Sequence, residues 1–196
     1  MARNLPAAVG FLVEVSEDGG APLEPVFASL GSTAELSGRT PGQNMRAVLL
    51  HSGAPDGAHA RSRGTTVILA GELYNQDELI RLLPADASPV GDAALVLALF
   101  AVYDVHAFRL LNGRFAALVG SAGRAVLATD HAGSVPLYAC VTAGRVLAAT
   151  EAKALRAAPG GRPIAARPGR RRARGHPRPA RTARVNEVGP RNWVPR

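Results

Sequence analysis

Sulfur, aromatic rings and long apolar runs are scarce in this sequence, and each scarcity excludes something. Its 196 residues include one cysteine, Cys140, so no internal disulfide framework can form and a reducing compartment is expected. Aromatic residues make up only 5%, which leaves the core to aliphatic side chains. No apolar run reaches the ~18 residues that a membrane span requires. The N-terminal stretch MARNLPAAVGFLVEVSED meets a charge at Glu14 too early for a signal peptide. A cytoplasmic protein without a membrane partner is therefore expected. The histidines at 51, 59, 106, 131 and 176 have no second ligand at metal spacing, and no metal site is expected. A phosphate-binding Gly-rich loop ending in Lys-Ser/Thr is absent as well.

Acidic residues are scarce in one region in particular. The formal net charge is +8, but residues 1–158 hold 12 basic against 14 acidic side chains, a net of −2. Residues 159–196 hold 11 Arg against the single acid Glu187, a net of +10. Any inference from basicity to polyanions thus applies to the last segment alone.

What the sequence has in quantity is short aliphatic runs. The stretch from Arg114 to Leu155 contains four strand candidates, 114–119, 124–129, 136–141 and 145–150, broken by SAG, DHAGS and TAG. These breaks are turn chemistry too short for a crossover helix, so the four read as one antiparallel meander, covered on both faces. Upstream, 7–15, 26–30, 45–51 and 65–73 read as strands that supply a second, stacked sheet. GSTAELSGRTPGQ and APDGAHARSRG read as loops. Asn75 with Glu78 suggests a capping box opening the helix QDELIRLL, which Pro84 stops. Asp92 is placed as the cap of AALVLALFAVYD, a helix apolar on nearly all sides and so expected to be buried. A short turn, HAFRLL, ends at Asn112-Gly113. The class is α+β.

Four motifs in order, GELYNQDEL, LLNGRFAALV, ATDHAGSVPLYA and ATEAKAL, carry a resemblance. They are similar to the class II glutamine amidotransferase domain of the asparagine synthetase family. LPAAVGFL, DVHAFRLLNGRFA and TDHAGSVPLY bring the chain nearer to its β-lactam synthetase branch, which closes a β-lactam ring on the way to clavulanic acid. The resemblance covers about residues 5–156. It implies a four-layer α/β/β/α sandwich of the N-terminal-nucleophile type, over a domain placed at 1–157. It also implies a second, ATP- and Mg²⁺-dependent synthetase domain that adenylates a carboxylate through an SGG-x-DS loop, and that loop is absent from this sequence.

The glutaminase of that family uses an N-terminal Cys whose own α-amine activates the thiol. This sequence begins Met1-Ala2-Arg3, and its first hydroxyl or thiol is Ser16. Cys140, mid-strand, has no free amine beside it and reads as a packing residue. The family's NGE motif places oxyanion donors on Asn and Gly. Here Ala70 stands at the Asn position, while Gly71 and Glu72 match, and Asp92 matches the Asp that binds the glutamine α-amine. Gly71, Glu72 and Asp92 are thus candidate pocket remnants, set against a plain role as strand end and helix cap. No catalytic residue is expected. Thr129 replaces the family's Arg before Asp130, and Asp130 is expected to make side-chain-to-backbone turn bonds.

Residues 158–196, with 11 Arg, seven Pro and no Lys, are expected to be disordered. Their composition matches a GC-rich gene read out of frame. The expected function is that of a glutaminase-inactive amidotransferase-like domain of an ATP-dependent β-lactam synthetase acting on a carboxyethyl-arginine-type substrate. The alternatives are an ammonia-supplying glutaminase of an asparagine synthetase and a basic-tailed nucleic-acid-binding protein. No cofactor is expected in this chain. The expected partners are a synthetase domain, in cis or in trans, and a second copy in a homodimer, with neither membrane nor nucleic acid.

Overall fold

The structure is a computed structural model that describes residues 10–16, 33–40, 43–50, 58–121, 124–142, 145–157, 164–165 and 184–188. Two antiparallel sheets lie face to face. The first contains β1 (Gly10–Ser16), β2 (Thr33–Thr40), β3 (Gln43–Leu50), β8 (Tyr138–Thr142), β9 (Arg145–Ala149) and β10 (Ile164–Ala165), in the order β10-β8-β9-β1-β3-β2. The second contains β4 (His59–Ser62), β5 (Thr65–Leu73), β6 (Gly113–Ser121), β7 (Arg124–Thr129) and β11 (Arg184–Val188), in the order β11-β7-β6-β5-β4.

Strand alternation divides the apolar residues into layers. On β6, Phe115, Ala117 and Val119 face the helices, while Ala116 and Leu118 face the other sheet. Between the sheets, Ile68 and Ala70 of β5 meet Phe11 and Val13 of β1 and Val146 and Ala148 of β9. Over the second sheet lie α1 (Gln76–Ile80), α2 (Asp92–Tyr103) and the 3-10 helix η1 (Asp104–Arg109). Their Leu79, Leu95, Val96, Leu99 and Phe108 pack on Val67, Leu69 and Phe115. On the far face of the first sheet, Ala154 and Leu155 of α3 (Ala152–Ala157) cover Leu12, Cys140 and Leu147. The order of layers is α/β/β/α, as the sequence resemblance implied.

Several expectations need correction. The four C-terminal strands are not one meander: β6 and β7 form a hairpin in the second sheet, β8 and β9 a hairpin in the first. Asp130 redirects the chain between them. Its buried carboxylate accepts hydrogen bonds from the backbone N–H of Phe115 (3.1 Å), Ala132 (2.9 Å) and Ser134 (3.0 Å), and from Ser134 Oγ (3.1 Å). The two sheets are therefore interleaved in sequence rather than divided into upstream and downstream halves. The loop expected over GSTAELSGRTPGQ contains β2, whose register with β3 runs from Thr33↔Leu50 to Thr40↔Gln43. The loop expected over APDGAHARSRG contains β4, paired with β5 from His59↔Ile68 to Ser62↔Thr65. Both are edge strands of polar composition, and a neighbour's ladder stabilises what propensity alone does not.

The helix α2 is not buried all round, because only one side of it meets the sheet. Val96 and Leu99 are fully buried, whereas Val102 is 52% exposed. Two segments of the region expected to be disordered are strands, β10 on the β8 edge and β11 on the β7 edge. The strand expected at 26–30 lies outside the described residues, as does the Met1-Ala2-Arg3 terminus.

Candidate functional site

The candidate residues meet where β5 ends and α2 begins. Gly71 has φ +110°, and a Cβ there would lie 2.0 Å from the Arg114 carbonyl oxygen on β6. Glycine is therefore required both for the conformation and for the close approach. Glu72 and Leu73 follow, opposite Arg114 and Gly113 in the β6 register.

Asp92 reaches back to this strand end. It is the first residue of α2, the cap position belongs to Gly91, and no side-chain cap bond is made. The carboxylate instead accepts from Leu73 N–H (2.9 Å) and Gln76 Nε2 (2.6 Å). The expected capping role is thus corrected: the β5 terminus, whose Leu73 N–H needs an acceptor, takes the carboxylate. Burial pushes the Asp92 carboxyl above its usual 3.8, and the nearby Glu72 charge adds to this against the pull of the two hydrogen bonds. Gly71, Glu72 and Asp92 accordingly form one half-buried cluster carrying two carboxylates.

Asn75 also departs from expectation. It makes no side-chain cap bond to α1. Its Nδ2 donates to Leu110 O (3.0 Å), and its Oδ1 accepts from Asn112 N–H (3.0 Å), while Tyr74 N–H donates to Asn112 O (2.7 Å). An amide carries both donor and acceptor, so it can staple the β5–α1 corner to the segment before β6. Around the cluster, sequence reasoning selected Asn75 only as a helix cap and did not select Gln76. Their adjacency to GEL at a strand-to-helix corner was the available signal.

The remaining groups of the expected chemistry are elsewhere or absent. Ala70 is fully buried between the sheets and offers no side-chain donor. Cys140 is buried on the far face of the first sheet, among Leu12, Leu147 and α3. Both sheets therefore separate its thiol from the helical layer that Asp92 opens. Among the described residues, no group of three His, Cys, Asp or Glu side chains could hold a metal ion, and no helix is long and apolar enough to cross a membrane.

Two stacked antiparallel sheets lie between helical layers, and the Gly71-Glu72-Leu73 strand end is held through Leu73 N–H to Asp92 of α2, in a domain that matches the glutamine amidotransferase domain family. Residues 47–157 match that family, and the chain belongs to it. The chain is 54% identical over 161 residues to the carboxyethyl-arginine beta-lactam-synthase of Streptomyces clavuligerus, a match covering 80% of this chain and 31% of that protein. It therefore spans less than a third of this relative's length. The fold is shared with the glutamine phosphoribosylpyrophosphate amidotransferase of B. subtilis, with a TM-score of 0.57 at 17% identity over 75% of this chain and 43% of the other. It is shared too with a structure described as the allosteric regulatory enzyme of purine biosynthesis. There the TM-score is 0.59 at 15% identity, over 79% and 44% of the two chains.

Proposed function

We infer that this chain is a glutaminase-inactive amidotransferase-like domain that serves a carboxyethyl-arginine β-lactam synthase as a folding and docking unit. The observation that carries this reading is the position of the sequence's single thiol. Cys140 is packed under α3, on the opposite side of the first sheet from the inter-sheet core. A class II glutaminase needs its thiol beside an amine base and an oxyanion donor, and Ala70 supplies no side-chain donor. Gly71, Glu72 and Asp92 remain as a pocket without a nucleophile.

The ring closure of the related synthase would be performed by the synthetase half. Adenylation of a carboxyl group there would be followed by attack of an amine within the same molecule, which needs no ammonia from glutamine. No segment of this sequence fits the SGG-x-DS type of ATP site.

Glutamate release from glutamine by the purified chain tests the reading. The expected rate equals that of buffer, with or without a thiol-blocking reagent. Release that the reagent abolishes would overturn it and favour the ammonia-supplying alternative.

A further inference from the structure

Away from the Gly71–Asp92 cluster, the described residues enclose a groove of about 630 Å³ between the outer side of α2, the loop after α1 and the β4–β5 turn. Small-molecule sites range over roughly 300–1,000 Å³. Its walls are apolar, formed by Leu83, Pro84, Leu97, Ala98, Phe100 and Ala101. It shares no lining residue with the candidate pocket at Gly71, Glu72 and Asp92.

One charge faces it. Of the described residues that line the groove, Arg63 alone is charged, and the hydroxyl-bearing Ser62, Thr65 and Ser88 line it as well. Arg63 occupies an unfavourable place in the backbone. Ser62 pairs with Thr65, so Arg63 and Gly64 form the two-residue turn of a hairpin, with φ of 46° and 80°. Such turns favour Asn-Gly, because a side chain like arginine's costs about 1 kcal/mol in the left-handed region. The turn thus carries a cation where a turn-forming residue would be more stable, and that cation borders an apolar trough.

We propose that this groove binds an amphipathic monocarboxylate, its apolar body along α2 and its carboxylate on Arg63. A single guanidinium matches a single carboxylate in a two-point hydrogen-bonded pair. A phosphate dianion would leave charge uncompensated, and a neutral apolar molecule would make no use of the arginine.

Calorimetric titration of the full chain with decanoate, beside neutral decanol, tests the proposal. Saturable one-to-one binding of decanoate is expected, tighter than decanol and weakened by salt. Arg63→Asn fits the turn, so it should raise the melting temperature while weakening decanoate about tenfold and leaving decanol unchanged. Ala98→Trp, which fills the groove, should abolish both. Absence of saturable decanoate binding would overturn the proposal. So would equal affinity for decanol, or an Arg63→Asn variant that binds decanoate as the parent does. None of these outcomes bears on glutamate release, so the two readings fail separately.

Discussion

The backbone N–H of Leu73 donates to Asp92 Oδ2 at 2.9 Å, across a sequence separation of 19 residues. This bond joins the end of β5 to the start of α2. It ties a carboxylate whose proton affinity is raised to the geometry of the strand.

Asp92 makes stability fall as pH rises. Its folded-state pKa lies above the ordinary 3.8, so the native state holds the proton more tightly than the unfolded chain. The stabilisation is complete below 3.8 and is lost as pH climbs through the raised folded value. Asp92→Asn should flatten that decline, because an amide can accept from Leu73 N–H while Gln76 flips to match. The effect should be under about 1 kcal/mol, since the carboxylate keeps part of its hydration. Melting temperatures of both proteins across the acidic range check this.

Asn75 and Glu78 should behave oppositely to a capping box. Asn75→Ala removes two hydrogen bonds to the Leu110–Asn112 segment and should cost about 1–2 kcal/mol. Glu78 is exposed, and Glu78→Ala should stay within about 0.5 kcal/mol. Urea denaturation of the two variants separates the cases, and a capping box would make the losses comparable.

Gly71 and Gly133 both have positive φ but differ in surroundings. A Cβ at Gly71 meets the Arg114 carbonyl oxygen at 2.0 Å, whereas at Gly133 it meets nothing within 4 Å. Gly133→Ala should therefore cost about 1 kcal/mol of backbone strain. Gly71→Ala should cost several times as much, because two strands must separate. Denaturation midpoints and amide exchange on β5 and β6 report the difference.

Asp130 should be sensitive to truncation. Asp130→Ala leaves the buried Phe115 N–H without that acceptor and removes the half-buried bonds from Ala132 and Ser134 N–H as well. The expected loss is about 3 kcal/mol or more, and Asp130→Asn, which retains one acceptor oxygen, should lose less. Equilibrium unfolding measures both.

Much of the fold was legible because its strands are dense in aliphatic residues. β5, β7 and β9 lie within a residue of their expected limits, since runs such as Val67-Ile68-Leu69 leave few alternatives. β2 and β4 escaped because their Ser, Thr, Arg and Gly content is that of loops, and hairpin pairing with the strand that follows each makes them strands. The change of sheet after β7 escaped for a different reason. DHAGS looks like any turn until the Asp130 carboxylate is seen gathering Phe115 and Ser134 around it. At the candidate site, motif order located Gly71, Glu72 and Asp92, but not their bonds. Asn75 holds a helix cap position and Asp92 directly follows one, and each satisfies a backbone group across the corner instead of capping.

The place of β1 governs how this domain can be made. β1 lies between β3 and β9. Its Phe11 N–H donates to Thr150 Oγ1 (3.0 Å), and its carbonyl accepts from Thr150 N–H (3.0 Å), across 139 residues. On the ribosome, β1 emerges well before β9 and must wait for it. At ~5–20 residues per second that interval is on the order of ten seconds. Until then, one edge of β1 and the inter-sheet faces of Phe11 and Val13 lack their final cover. The domain closes late and at once, and a nascent chain that stops short of β9 is a client for chaperones rather than a smaller version of the fold.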